Sequence, residues 1–405
     1  MINKQFDLIS KSDIESLIYN SVTEKRTIEY KEQLSGNSEG DKKEFLADIS
    51  SFANASGGDI IYGIQEQRDS KGKTTGIPEA VKGISGINSD EVVRKLESMI
   101  RDGIAPRIIG LQTKVIDGFP DGSVIVIRIP KSWNSPHMVT FKNHSRFYSR
   151  NSAGKYPLDV TEIRSAYIAS ESLAERIREF RIERITNIIA DETPVQLESN
   201  PKIVLHVVPI ASFTLGTNVN VNLVRNENNS SSLKPINSSH STGWNQRYNF
   251  DGIVKFLRGI QTPVSYSYTQ LFRNGVIEAV DAYILQERKG GKIIPSSYYE
   301  EELINSLEDY LQLQQQLELT PPVLIMLSLL GVRDYVMSVG DGWDHTRQTY
   351  PVDRDNLIIP EIVVEDYAMK ASEILRPAFD AIWQACGCDC CKNYDANGNW
   401  IGNRR

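Results

Sequence analysis

No stretch of this chain approaches the roughly 18 consecutive apolar residues that a membrane-spanning helix requires, so no membrane partner is expected. The opening residues, Met1-Ile2-Asn3-Lys4-Gln5-Phe6-Asp7, hold no signal-peptide apolar core, and the expected location is the cytoplasm. Cysteine is scarce: all four lie in Cys386-Gly387-Cys388-Asp389-Cys390-Cys391, where none can staple distant segments, which fits a reducing compartment. Cys388 and Cys391 have C-x2-C spacing, but no second pair exists elsewhere. Metal binding by two of these thiols with His345 or a symmetry mate is set against a frayed helix end with incidental thiols. A phosphate-cradling Gly-x4-Gly-Lys-Ser/Thr loop is missing. The nearest glycine cluster, Lys71-Gly72-Lys73-Thr74-Thr75-Gly76, lacks the preceding apolar strand, so ATP is not expected. Nothing marks the nucleophile of a Ser/His/Asp or Cys/His triad, since His345 and Asp395 sit in loop-like stretches without a partner motif.

What is present is ordinary globular composition, 40% hydrophobic and 24% charged over 405 residues, enough for two or three domains. The net charge of −7 argues against a basic coat, but the charge is uneven. Residues 1–170 carry 23 basic against 22 acidic side chains, and the remainder 22 against 30. Within 101–155 nine basic residues, Arg128 and Lys142 among them, face three acidic ones. A polyanion would sit there; a solvated strand-rich surface fits the charge equally well.

Ser12-Asp13-Ile14-Glu15 reads as a capping box opening a short helix to about Ser21. Thr27–Glu32 alternates with period two, so Ile28 and Tyr30 face one way and Glu29 and Lys31 the other. Residues 42–55 place Phe45, Leu46, Ile49, Phe52 and Ala53 on one helical stripe, and Gly57-Gly58 supplies a left-handed cap. Asp59–Ile64 is too apolar for an edge and predicts a central strand, joined to the first by a crossover within one sheet. Asn88 or Ser89 caps the next helix, ended by Gly103, and strands follow over Leu111–Ile116, Ser123–Ile129, His137–Phe141 and Arg146–Arg150. Asp159–Glu162 caps a helix expected to end near Ile168, before a long charged connector from Glu171 to Ala190. Beyond it come a strand at Lys202–Pro209 and a polar loop at Asn226–Asn245 with no core content. A hairpin turns at Asn274-Gly275, followed by a helix at Tyr298–Leu317, a strand at Val323–Leu330 and a helix at Glu365–Ala385. The expected fold class is α/β (α+β): a mixed-sheet domain at 1–170, a helical connector at 171–192 and a second α/β domain at 193–405.

Glu24, Glu29 and Glu66 form a candidate set of oxygen ligands, because hard cations such as Mg²⁺ and Mn²⁺ prefer carboxylates. Such ions polarise a phosphodiester and activate water. Lys31, two residues along from Glu29 on the same face, would neutralise a scissile phosphate. The alternative is a half-exposed strand with solvent-facing glutamates. Arg146-Phe147-Tyr148-Ser149-Arg150 interleaves basic and aromatic residues, placing Arg146, Tyr148 and Arg150 on one strand face suited to phosphate contact and base stacking. A strand with Phe147 inward and polar residues outward fits that pattern equally.

Glu24-x4-Glu29-Tyr30-Lys31, then Phe52-Ala53-Asn54-x2-Gly57-Gly58 and Gly63-Ile64-x-Glu66, resembles the Schlafen AlbA-2 domain over roughly residues 15–165. The resemblance implies a nuclease acting on structured RNA such as tRNA through three acidic residues, which fall on Glu24, Glu29 and Glu66. Glu66 departs from the family's Asp, and Asp69 in the next loop is a fallback ligand. The implied cofactor is Mg²⁺ or Mn²⁺. RNA is favoured over DNA as partner, with Lys142, Arg146, Tyr148, Arg150 and Arg128 as contact residues. Vertebrate Schlafens build a cradle from two such lobes, so a homodimer is expected to supply the second. A role in bacterial stress or phage defence rests on analogy. The rival reading is a non-catalytic nucleic-acid-binding protein or DNA-binding transcriptional regulator.

Overall fold

Ile28–Lys31 forms the first strand, β1, with Ile28 and Tyr30 fully buried and Glu29 and Lys31 largely but not fully covered. In this computed structural model, which describes residues 1–2, 4, 6–213, 217–225, 231–238, 244–258, 264–288, 291–338 and 349–402, the chain divides into two units. They are Met1–Glu175 and Arg176–Arg405. The Asp341–His345 stretch lies outside the described residues.

In the first unit α1 (Lys11–Tyr19) precedes β1, and α2 (Glu39–Ala53) follows it. The box expected at Ser12 is displaced to Ser10. The Ser10 amide donates to Asp13 at 2.8 Å, because Asp13 rather than Glu15 is three residues from the cap. Ser38 caps α2, its Oγ accepting the Asp41 N–H at 3.1 Å. Then come β2 (Gly58–Tyr62), β3 (Ile64–Arg68), β4 (Thr74–Val81) and α3 (Ser89–Gly103), capped by Asn88. The unit continues with β5 (Ile104–Ala105), β6 (Gln112–Phe119), β7 (Gly122–Ile129), β8 (Met138–Val139), β9 (Arg146–Asn151) and β10 (Gly154–Pro157).

The main sheet has the order β1-β2-β7-β6. β1 runs parallel to β2, with Glu29 opposite Ile60 and Lys31 opposite Tyr62, so the crossover expected through α2 is present. β2 is buried along its whole length, as a central strand must be. On one face Ile60, Tyr62 and Ile127 meet Phe45, Ile49 and Phe52 of α2; on the other Ile61 and Val126 meet Ile14 of α1 and Tyr30. Burying each such side chain contributes about 1.5–3 kcal/mol, and Phe45→Ala would cost about 3–5 kcal/mol. A second sheet, β10-β9-β8-β5, packs against α2, while β3 and β4 form a separate two-stranded hairpin.

α4 (Val160–Ile189) corrects the two-helix expectation. Asp159 caps it, accepting the Glu162 N–H at 2.8 Å, and no Gly or Pro between there and Ile189 stops it.

The second unit is built on β11 (Lys202–Pro209), β12 (Asn245–Tyr248), β13 (Gly252–Arg258), β14 (Ser265–Phe272), β15 (Ile277–Asp281) and the short β16 (Ile293–Ile294). α5 (Ser296–Gln316), β17 (Val323–Leu330), β18 (Val336–Met337), β19 (Asn356–Ile358), β20 (Ile362–Val364) and α6 (Ala371–Ala385) complete it. An antiparallel sheet of order β12-β13-β14-β15-β11-β17-β19, with β20 also on β17, packs its apolar face under α5 and α6 through Leu205, Val207, Tyr299, Leu303 and Phe379. The last helix begins at Ala371, later than expected. Leu233 and Ile236, within the stretch expected to have no core content, are fully buried in this cluster. Both units are therefore mixed α/β.

Candidate active site

The edge position of β1 explains where Glu24 sits. Edge strands leave backbone amides unpaired, and Glu24 Oε1 accepts the Tyr30 N–H at 2.7 Å. The Glu24 amide in turn donates to the Gly76 carbonyl at 2.7 Å, tying this segment to the hairpin. Glu66, on β3 of that hairpin, accepts the Gly76 N–H through Oε2 at 2.9 Å. Gly76 has φ +72, and a Cβ there would stand 3.2 Å from the Glu24 Cβ. One glycine thus ties the Glu24 backbone and the Glu66 carboxylate to a common support.

Burial, opposed by the Tyr30 N–H and reinforced by the charges of Glu66 and Glu29, pushes Glu24 up to about 7. Glu66 is also raised, first by burial. A carboxylate near neutrality beside two others is a group poised to take a proton or a cation.

Glu29 differs. Its Oε1 lies 2.6 Å from Lys31 Nζ and its Oε2 2.8 Å from Arg150 Nη1. Burial acts to raise it, but those two cations bring it below the usual carboxylate value. Lys31 is also 3.4 Å from Asp48, which Lys155 meets at 2.7 Å. The result is a chain of alternating charge: Arg150, Glu29, Lys31, Asp48, Lys155 and Glu44. Burial costs Lys31 some of its proton affinity, but the carboxylates of Asp48 and Glu29 more than restore it, so it stays an ammonium. Asp48 itself is raised by burial and by Glu29.

Residues 52–58 support this site from below. Arg150 stacks its guanidinium 3.5 Å from the centre of the Phe52 ring. Asn54 donates to the carbonyls of His137 (2.9 Å) and Tyr148 (2.8 Å) and accepts the His137 N–H (2.6 Å), pinning β8 and β9 to the end of α2. Gly57, at φ +67, passes so close to Lys131 that a Cβ would fall 2.5 Å from its amide nitrogen.

The expected contact residues are dispersed. Arg128 is forked onto the fully buried Asp59 at 2.8 and 3.1 Å and caps the carbonyls of Ile2 and Lys4, so it is a structural clamp. Arg150 is only 5% exposed. Lys142 pairs with Glu39 on the surface, and Tyr148 is half-buried with its hydroxyl 2.9 Å from His144 Nε2. Arg146 is exposed.

A hard divalent cation suits the donor chemistry of Glu24 and Glu66, since Mg²⁺ is commonly held by one or two carboxylates with water and phosphate completing its shell. Glu29 has both oxygens on cations instead. Among the described residues no three Asp, Glu, His or Cys side chains converge closely enough to hold an ion. Asp69 turns into its own loop, accepting the amides of Lys71 and Lys73 at 2.8 and 2.9 Å. Neither Asp48 nor Lys155 was expected at this site. Asp48 lies off the apolar stripe of α2, and Lys155 on a strand that no alternation announces.

Residues 24–159 match the family model described as Schlafen, AlbA_2, so the chain carries a domain of that family. Among solved structures, the chain is similar to the N-terminal domain of a putative ATP-dependent DNA helicase RecG-related protein from Nitrosomonas europaea. The identity is 22%, the coverage 31% of this chain and 75% of that one, and the TM-score 0.23. It is also similar to the DIP2311 protein from Corynebacterium diphtheriae, at 17% identity over 36% of this chain and 26% of that one, with a TM-score of 0.24. Similarity at this level identifies neither activity nor ligand. No curated protein matches the chain. Among the described residues no helix is long and apolar enough to cross a membrane.

Proposed function

We propose that the AlbA_2 domain at residues 24–159 is a divalent-cation-dependent endoribonuclease acting on structured, tRNA-like RNA. The observation that carries this reading is Glu24, a carboxylate pushed up to about 7 by burial and by Glu66 and Glu29, next to a permanently charged lysine. Glu24 and Glu66 would hold Mg²⁺ or Mn²⁺, which supplies Lewis-acid polarisation of a phosphodiester. Lys31, pinned between Glu29 and Asp48, is a fixed positive charge for the negative charge that develops on the phosphate. Because it does not give up its proton, its role is electrostatic. Glu29, itself held by the buried Arg150, fixes the position of the Lys31 ammonium. A homodimer would supply a second lobe; sedimentation showing a strict monomer at micromolar concentration removes that part.

A second reading has its own observation. Glu29 is already neutralised by two cations, which suits a domain that binds nucleic acid without cutting it. One experiment separates them: wild type, Glu24→Gln and Glu29→Gln are incubated with total tRNA and Mn²⁺ at low salt. Cuts made by the wild type and lost in both variants support the nuclease. Binding by all three with no cuts in any leaves the binding module.

A further inference from the structure

With Arg128 and Arg150 engaged inside the fold, a polyanion needs other cations near the acidic pair. The β3–β4 hairpin has them. Residues 67–75 are exposed throughout and carry Arg68, Lys71 and Lys73 against one acid, Asp69. We infer that this hairpin tip is a phosphate-contacting element that grips the RNA backbone beside the Glu24–Glu66 site. The inference rests on the RNA reading above and adds a contact surface to it.

Three features separate this tip from an ordinary solvated turn. First, it is preorganised. Asp69 accepts the amides of Lys71 and Lys73, the Asp69 N–H donates to the Lys73 carbonyl at 2.8 Å, and Arg68 Nη1 donates to the Gly72 carbonyl at 3.0 Å. Thr75 Oγ1 fastens the two strands by donating to the Gln67 carbonyl at 3.1 Å. A tip already held in shape loses little entropy when it meets a ligand. Second, its composition, Gln67-Arg68-Asp69-Ser70-Lys71-Gly72-Lys73-Thr74-Thr75, has no apolar side chain to enter a lipid surface or an apolar protein groove, while offering cations and hydroxyls that match phosphate oxygens. Third, the hairpin is mechanically part of the acidic site, since Glu66 stands on β3 and Gly76 on β4 holds both Glu66 and Glu24. At about 3.4 Å per strand residue the tip reaches roughly 15 Å from Glu66, so a strand gripped there passes the carboxylates within a few nucleotides.

Phosphate contacts release counterions, giving a signature that a structural role would not: each contact adds about 0.7–0.9 to the slope of log affinity against log salt. The test uses the full chain and a fluorescent tRNA-like hairpin RNA, with EDTA present so that no cutting intervenes, over about 0.05–0.2 M salt. The K71A/K73A double variant is compared with wild type and with R94A/K95A on α3, and cleavage by the wild type in Mn²⁺ is scored separately. The expected result is a slope shallower by about 1.5 and binding weaker by about tenfold at 0.1 M salt for the hairpin variant only, with K71R/K73R restoring both. Equal slopes for wild type and hairpin variant, with cleavage present, overturn the hairpin and leave the nuclease standing. A wild type that neither binds nor cuts RNA overturns both. Tighter, hairpin-dependent binding to duplex DNA of the same sequence overturns RNA as the ligand.

Discussion

Asp48 holds the Lys155 ammonium at 2.7 Å from inside α2, and both are largely hidden from water. This contact joins β10 to the helix behind β1 and closes a chain of charges in which every buried member has a neighbour of opposite sign. Removing Asp48 takes a carboxylate from both lysines and leaves Lys31 only Glu29 and Lys155 only the exposed Glu44, a loss at the low end of the about 3–5 kcal/mol that breaking a buried pair costs. Asp48→Ala should therefore destabilise the first unit by about 3 kcal/mol. Lys155→Met, which removes the charge but keeps most of the apolar stem and leaves Asp48 paired to Lys31, should cost less. Hydrogen exchange of the β1 and β2 amides reports this unit alone, and equal protection in wild type and Asp48→Ala would refute the prediction.

Glu24 makes cation binding pH-dependent. With its carboxyl near 7, about half the molecules carry a proton there at neutrality. A cation competes with that proton, so apparent Mn²⁺ affinity should rise by up to tenfold per pH unit below 7 and level off above it. Calorimetry in buffers of different ionisation enthalpy should find about half a proton released by Glu24 per Mn²⁺ at pH 7, and a smaller release in Glu24→Gln. A pH-independent affinity between 5.5 and 7 would mean that Glu24 is not a ligand.

Much of this site was readable from neighbouring residues. The period-two alternation at Ile28–Lys31 and the glycines at 57 and 58 are constraints a few residues long, and each survives intact. What could not be read depends on partners far along the chain. Arg128 has the charge of a nucleic-acid contact but is spent on Asp59, and Arg150 looks like a surface residue until Glu29 and Phe52 cover it. Leu233 and Ile236 were hidden by polar neighbours, because two buried residues in an irregular segment produce no periodicity. Asn54 was noted only as part of a motif; its three hydrogen bonds appear once β8 and β9 fold back onto α2.

The cysteine cluster at the C-terminal end is held by one carboxylate. Glu300 on α5 accepts from Trp383 Nε1 (2.9 Å), Trp400 Nε1 (2.7 Å), Asn393 Nδ2 (2.9 Å) and the Cys391 thiol (3.3 Å). Burial raises both buried thiols, Cys386 to about 12, so neither is a ready thiolate. Native protein should resist alkylation at Cys386 and Cys391. Glu300→Ala removes the common acceptor and should expose Cys391 and the segment to Trp400, read as faster iodoacetamide labelling by mass spectrometry. Unchanged labelling would show that apolar packing alone holds the tail.

Asp281, fully buried at the end of β15, gives the second unit an acid-favoured stability. Its Oδ1 accepts the amides of Tyr283 (3.0 Å) and Ile284 (2.8 Å), while Oδ2 has no hydrogen-bond partner. Burial outweighs those two amides and pushes the carboxyl up to about 7. The folded state therefore holds this proton more tightly than the unfolded chain, whose carboxyl titrates near 3.9. Stability from this group is whole below about pH 4, falls as pH rises between 4 and 7, and stays low above 7. The loss is of the order of 3–4 kcal/mol. Asp281→Asn preserves the Oδ1 acceptor and cannot ionise, so it should match wild type near pH 4 and exceed it by a few kcal/mol at pH 8. Urea unfolding followed by tryptophan fluorescence, which Trp383 and Trp400 report from this unit, measures the difference; a gap that does not widen between pH 4 and 8 would refute the assignment.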